Sequence, residues 1–295
     1  MKSILKPILF GIILLLVFVC YSLKDKILNG DKNKSINNIN FNTNSTSSTS
    51  ETKVNDLPQT GSTDKIGDIS DDEKIYTEKS FEQREIKIYV LGKKAAKYKM
   101  AILGSMHGDE PQGKYIIEQL VEYVKKNPKT IENKQILFMP TVNPDGLFGN
   151  KRGNANNVDL NRNFPTKNWG SIDGDKNTVY SPGSSPSSEP ETKMILKYIG
   201  DFNPKLIINI HSPLKLINYD GLNSKRIATL MAKYNNYKTA ADIGYPTPGS
   251  LGTYFGKERN ISVITLETSN DTGEKAWQEN KESILAVINN LEGFY

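Results

Sequence analysis

Histidine is scarce in this chain. Only two occur in 295 residues, His107 and His211. One follows an apolar run that reads as a strand, "YKMAILG" (98–104), and the other ends such a run, "KLIINIH" (205–211). Glu110 lies three residues after His107 and opens a helical pattern in which Pro111 suits the first turn. Residues three apart at a helix start point the same way, so an imidazole nitrogen and a carboxylate oxygen can converge on one cation. A strand parallel to the first would carry His211 to the same sheet edge, where open α/β sheets bind their ligands. Two histidines and a glutamate, with a fourth position open to water, form a catalytic zinc arrangement. The HxxE spacing alone recurs by chance. Its combination with a second strand-ending histidine makes His107, Glu110 and His211 the expected ligands of one zinc ion.

Composition narrows the class. The formal net charge is +5, of which Lys2, Lys6, Lys24 and Lys26 against Asp25 supply +3, leaving +2 for everything after residue 28. A near-neutral bulk offers no basic face, so no nucleic-acid partner is expected. Hydrophobic residues make up 37% and charged residues 24%, enough to bury a core. The only cysteine, Cys20, sits in an apolar run, so the folded part is expected to hold no disulfide.

Three regions follow from the pattern. Residues 1–28 carry sixteen nearly pure apolar residues, Ile8 to Leu23, behind two lysines. This reads as an uncleaved signal anchor, a single membrane-spanning helix whose basic N-terminal flank favours the cytoplasm. A cleaved signal peptide and a buried helix are the alternatives, and Lys24 and Lys26 weaken the orientation. The catalytic part is then expected outside the cytoplasm, at the membrane or secreted. Residues 29–74 are rich in Asn, Ser, Thr, Asp and Lys and read as a disordered linker. Those 46 residues would reach on the order of 35–40 Å as a coil. They contain "LPQTG" (57–61), which resembles a sortase sorting signal. Such a signal is followed by an apolar segment, whereas here the apolar segment precedes it, so the match is read as a decoy.

Residues 75–295 alternate strands and helices. Strand candidates are 84–91, 98–104, 135–140, 205–211 and 261–267; helix candidates are 110–126, 189–200, 222–241 and 274–294. The alternation predicts an α/β fold, a mixed, largely parallel sheet sandwiched by helices. The stretch 141–188 is rich in Asn, Gly, Pro and Ser and lacks periodicity, the mark of a functional loop.

The segments "HGDE", "TVNPDG" (141–146), "RGNANNVDLNRNFP" (152–165), "SEPET" (188–192), "INIHSP" (208–213), "YPTPGSLGTY" (245–254) and "VITLETS" (263–269) occur in that order. Together they resemble the M14 zinc carboxypeptidases, and within them the small bacterial murein peptide amidases. The resemblance spans about residues 84–290. It implies that His107, Glu110 and His211 are the zinc ligands and that Glu267 is the general base. Arg152 matches the arginine that steadies the oxyanion. Asn161 and Arg162 match the pair that grips a substrate's free carboxylate, and Asp159 matches the carboxylate that orients His107. Tyr245 matches the mobile tyrosine of the family, with Tyr254 a competitor. The implied activity is zinc-dependent hydrolysis of an amide bond next to a free carboxylate. The implied substrate is a peptide or muropeptide, cut by analogy between γ-D-glutamate and a diamino acid. Two other readings are an N-acyl amino acid deacylase of the aspartoacylase type and an inactive cell-wall binding module.

Overall fold

A computed structural model describes residues 72–170 and 178–295. The expected anchor, and the linker up to residue 71, lie outside the described residues. Among the described residues no helix is long and apolar enough to cross a membrane.

Eight strands form one mixed sheet: β1 (Glu73–Lys79), β2 (Glu85–Leu91), β3 (Tyr98–Gly104), β4 (Lys134–Met139), β5 (Leu206–His211), β6 (Leu216–Asp220), β7 (Lys238–Ala240) and β8 (Ser262–Glu267). Their spatial order is β1-β2-β4-β3-β5-β8-β6-β7. The centre, β4-β3-β5-β8, is parallel. Pairings at both flanks, β1-β2, β2-β4 and β6-β8, are antiparallel. The central strands are apolar runs buried on both faces, as a covered parallel sheet requires.

Helices α1 (Gln112–Lys126), α4 (Ser224–Asn235) and α5 (Gly273–Asn289) cover one face; α3 (Pro190–Phe202) covers the other. Apolar residues recur in α1 at helical spacing, Ile116, Ile117, Leu120, Val121 and Val124, and all five pack into one cluster. Strand alternation divides β5 between the layers. Leu206, Ile208 and Ile210 join the cluster under α1, while Ile207 joins the cluster under α3. Asn209 and His211 share the face of Ile207, so the histidine emerges on the α3 side.

The expected core strands and helices are present, with three differences. Strand β1 begins at Glu73, inside the stretch read as linker. The segment 222–241 is not one helix: α4 ends at Asn235, where Asn236 takes a left-handed conformation, and β7 follows. The short strands β6 and β7 carry too few residues for a periodic signal.

The loop after β4 is ordered by asparagine and aspartate side chains acting on the backbone. Asn143 Oδ1 accepts from Gly146 N–H at 2.8 Å and caps α2 (Pro144–Gly149). Asn154 Oδ1 accepts from the N–H groups of Asn156 and Val158. Asp145 ties this loop to the β1–β2 turn. Its carboxylate accepts from Ser80 Oγ at 2.7 Å, Glu82 N–H at 3.0 Å and Arg84 Nη1 at 2.8 Å. Burial opposes its charge, but these hydrogen bonds prevail and hold the carboxyl below the ordinary aspartate range.

Asp145→Asn should therefore cost about 1–3 kcal/mol at neutral pH, because it removes charge-assisted bonds from a buried site. The folded-state pKa is depressed, so this stability is present above the unfolded value of about 3.9 and is lost as pH falls through the folded value. Urea melts of both proteins at pH 7 and pH 3 should show the gap narrowing in acid. An equal gap at both pH values would contradict this account.

Candidate active site

The parallel register of β5 and β8 sets the frame. His211 pairs with Glu267 at the ends of these strands. Parallel partners project to the same face, so imidazole and carboxylate stand side by side above the sheet. One strand over, β3 ends at Gly104, beside Ile210. His107 lies three residues beyond that end. Glu110 does not begin the following helix, as expected. It stands in a turn closed by its own N–H on His107 O at 3.2 Å, and α1 starts two residues later. A turn brings residues three apart together as well as a helix does, so the convergence survives the change of cause. Gly108 permits it: a Cβ there would overlap the backbone of Gly146.

The donor atoms meet. His107 Nδ1 lies 2.8 Å from Glu110 Oε1, His211 Nδ1 lies 2.8 Å from Glu110 Oε2, and the two Nδ1 atoms are 3.1 Å apart. Among the described residues this is the one group of three such side chains whose donor atoms all fall within 4.8 Å of one another. Ligands at about 2.05 Å from a tetrahedral zinc sit roughly 3.3 Å apart, close to these separations. Both imidazoles also have a partner behind them. His107 Nε2 meets Asp159 Oδ1 at 3.0 Å and His211 Nε2 meets the Asn209 side-chain amide at 2.7 Å. With Nε2–H donated to Asp159, the His107 Nδ1 lone pair is free for a cation. Asn209 Oδ1 is a buried oxygen without a partner, and turning the amide gives it the His211 Nε2–H, which fixes the same tautomer for the second ring. The residues present therefore fit a zinc ion.

The electrostatics agree. Burial works against a charged His107, but the carboxylates of Asp159 and Glu110 outweigh it and push its pKa up to about 9. Burial works against the charge on both Glu110 and Asp159, but His107 and His211 hold Glu110, and His107, Arg152 and Arg162 hold Asp159, far below the usual carboxylate range. Two anions buried around two rings constitute a field that wants positive charge at this point. Glu267 behaves oppositely. Burial pushes its carboxyl up and Glu110 adds to the shift, while the imidazoles and Arg152 oppose it.

The remaining expected residues line the same pocket, of about 590 Å³, with the donor trio and Glu267: Arg152, Asn161, Arg162 and Tyr245. Asp159, fully buried, lies beneath them and anchors three elements at once. It accepts from His107, from Arg152 Nε at 2.9 Å and from Asn161 N–H at 2.8 Å, which starts the single turn Leu160–Arg162. Arg152 also approaches Glu110 Oε1 at 3.4 Å. Asn161 spends its Oδ1 on Leu251 N–H, leaving its amide donors for the pocket. Arg162 donates to Asn161 O at 2.8 Å and is 5% exposed, yet its head reaches the pocket. Tyr245 is half-exposed at the rim. Its phenol is pushed up by burial and Glu267, with Arg162 and Arg152 opposing. Tyr254 is elsewhere: its ring packs on Phe164 and Phe255 under Arg259, and it does not line the pocket.

Four lining or supporting residues are not among the candidates read from the sequence. Tyr180 covers the guanidinium groups of Arg152 and Arg162, at 5.0 and 5.9 Å from its ring centre. Asp220 and Lys257 line the far end of the pocket. Asn209 is the fourth; its position two residues before His211 on one strand was the available clue.

Comparison with known proteins agrees with this geometry. The family model described as zinc carboxypeptidase matches residues 70–278. Murein peptide amidase A of Escherichia coli K12 is 32% identical over 187 residues, covering 59% of this chain and 74% of that protein. Carboxypeptidase SOL1 of Arabidopsis thaliana is 28% identical over 228 residues, covering 64% of this chain and 44% of that one. Among solved structures, carboxypeptidase A from Helicoverpa armigera superposes with a TM-score of 0.64 at 21% identity, over 75% of this chain and 68% of its own. Murein-tripeptide amidase from Escherichia coli O157 does so with a TM-score of 0.57 at 24% identity, over 78% and 94%. At these identities the two structures speak for the fold alone. The extent of the family match, on a site built as described, places this chain in the zinc carboxypeptidases of the M14 family, a metallocarboxypeptidase by fold and descent.

Proposed function

We propose that this protein hydrolyses an amide bond next to a free carboxylate in peptidoglycan stem peptides, with one zinc ion held by His107, Glu110 and His211. One observation carries the reading: the donor trio, Glu267 and the Asn161–Arg162 pair line one pocket. The kinship with murein peptide amidase A supports the choice of substrate. By that analogy the bond is the one between γ-D-glutamate and a diamino acid. The apolar run Ile8 to Leu23 supports a location at the membrane with the catalytic part outside the cytoplasm.

Each residue has a task that its surroundings permit. Arg162 offers a planar fork to the substrate carboxylate, and the Asn161 amide adds a donor beside it. That grip sets which carbonyl stands over the donor trio. A zinc ion bound there would polarise that carbonyl and lower the pKa of a water molecule to about 7. Glu267 takes the proton of the attacking water and delivers it to the departing amine. Its raised pKa suits a group that must hold a proton between two steps. Arg152, steadied by Asp159 and Tyr180, faces the oxygen on which negative charge develops. Tyr245, half-exposed at the pocket rim, is assigned the task of donating its hydroxyl to the substrate backbone.

The test is hydrolysis of defined muropeptides by the full-length chain, read by mass spectrometry with and without a chelator. Release of a diamino acid is expected, and loss of this product on chelation with recovery on zinc addition. Release of an acid from an N-acyl amino acid instead would favour a deacylase, and no turnover on any substrate would favour a binding module. Glu267→Gln should lower kcat by about 10²–10⁴-fold, the usual contribution of a general base, while zinc content stays at that of the parent. Turnover like the parent's would remove Glu267 from the role of base. Asn209→Ala should weaken zinc binding by about 10–100-fold, measured by competition with a chelating dye, because His211 loses the partner that orients it.

A further inference from the structure

The outermost strand of the sheet has a second edge that nothing among the described residues covers. Strand β1 pairs with β2 alone. Gly92 N–H donates to Asp72 O at 2.8 Å and Ser80 N–H to Arg84 O at 2.9 Å, so the even-numbered residues of β1 turn their backbone groups towards β2. Glu73, Ile75, Thr77 and Lys79 therefore turn theirs outwards. Such a row is a template for another strand, and proteins commonly blunt it with charge. The charges of β1 follow a pattern that does not blunt every partner.

The strand reads EKIYTEK and is complementary to itself when one copy is reversed. With Tyr76 opposite Tyr76 of a second copy, Glu73 meets Lys79, Lys74 meets Glu78 and Ile75 meets Thr77. The same matches recur on the other side of the centre. Backbone parity agrees with this register. Outward-turned residues meet outward-turned residues, Glu73 with Lys79 and Ile75 with Thr77, which gives roughly eight hydrogen bonds, two per such pair. Sliding one copy by one residue sets outward groups against inward ones. Sliding it by two leaves no opposite charges facing each other within the strand. The faces agree as well. Glu73 is drawn to Lys125 of α1 at 2.6 Å. Tyr76 packs edge-on against Tyr198 of α3, 5.7 Å between ring centres, and Glu78 accepts from the Tyr198 hydroxyl at 2.8 Å. An antiparallel two-fold keeps each face with its own kind, so the two Tyr76 rings meet with a Tyr198 ring behind each. Ile75 and Tyr76 are 54% and 41% exposed in one copy, and the pairing gives each a cross-strand neighbour.

We infer that this edge is an interface: two copies of the chain join β1 to β1, antiparallel about Tyr76, and continue the eight-stranded sheet from one copy into the other. The charge pattern selects a second copy over an arbitrary strand, because only the reversed sequence answers every lysine with a glutamate. Strands β2 and β4 stand between β1 and β3, so the donor trio lies away from the interface. One strand per copy is a small contact, of the size that suits a dimer in exchange with its monomer.

Light scattering by the full-length chain in mild detergent, over a wide range of concentration, tests this. The parent should pass from monomer to dimer as concentration rises. Lys74→Glu sets like charges opposite each other at both Glu78 positions, and Glu78→Lys does so at both Lys74 positions. Each variant alone should dimerise about tenfold more weakly than the parent. Mixed in equal amounts, the two restore every match and should form heterodimers at the parent's strength. Hydrolytic kcat should stay at the parent's value in both. Cysteine pairing reads the register. In a Cys20→Ser background, which removes the only native cysteine, Tyr76→Cys should give a disulfide between copies on mild oxidation. Facing Cα atoms at a pair without hydrogen bonds are about 4.5 Å apart, within disulfide reach. Lys74→Cys should not, because its two copies stand about 13 Å apart along the ladder. A parent that stays monomeric at every concentration overturns the inference, and is the result expected if residues before 72 of the same chain cover the edge. Dimers indifferent to both charge variants overturn it too, and are the result expected if the apolar run Ile8 to Leu23 associates instead. Equal crosslinking at positions 76 and 74 also overturns it.

Discussion

Everything at this site depends on keeping two buried carboxylates ionised where two imidazoles meet. Glu110 and Asp159 are nearly or fully inaccessible, and each is kept ionised by groups that the fold brings from distant parts of the chain. A carboxylate buried without such partners would take up a proton. His107 comes from the turn after β3, Asp159 from the asparagine-rich loop and His211 from the end of β5. The cluster therefore acts as a tie between three segments and as a poised receptor for a cation. Without positive charge among them, its two facing ring nitrogens and its carboxylates have only protons to share. The same atoms that could hold a metal thus set a demand for one.

The rest of the fold meets the geometric terms of that cluster. Parallel pairing of β3, β5 and β8 ends three chains at one edge, and only there can loops from separate strands converge. Period-two alternation in β5 places Asn209 and His211 on the α3 face, while Ile208 and Ile210 seal the opposite core. The same alternation in β8 exposes Thr265 and Glu267 to the pocket, with Ile264 and Leu266 buried beneath α4 and α5. One strand thereby supplies both a floor of the hydrophobic core and a wall of the site. Neither strand can slip register by one residue without turning its polar members into the core.

Much of this was legible in the sequence, and the limit is physical. The central strands announced themselves because burial on both faces demands unbroken apolar runs, such as "LIINIH". The helices announced themselves by a 3.6-residue period. Strands β6 and β7 did not, because their residues are shared between a pocket wall and a sheet edge, so no period is imposed on them. For the site, two scarce histidines at strand ends, one of them three residues before a glutamate, point to the donor trio. The family pattern then brought in Arg152, Asn161, Arg162, Asp159, Glu267 and Tyr245, which the fold gathers around one pocket or directly beneath it. The cause assigned to the His107–Glu110 approach was nevertheless wrong, since turn and helix both join residues three apart. Tyr180, Asp220 and Lys257 escaped because their significance lies in what they face across the pocket, and a linear pattern contains no such relation.

The two ends of the pocket obey different physics. Near the donor trio, charge is dense, buried and fixed by hydrogen bonds on every side, as a step that stabilises developing charge requires. At the far end, a buried aspartate is met by a lysine whose side chain is about half exposed, on a turn that sets two of its own glycines against the aspartate. A long flexible ammonium can leave its partner at small cost in water, whereas a buried imidazole cannot. The near end therefore holds its charges in fixed places, whereas the far end is free to yield. The strand pair β6–β8 fixes the distance between them, because both Glu267 and Asp220 are positions on one antiparallel ladder.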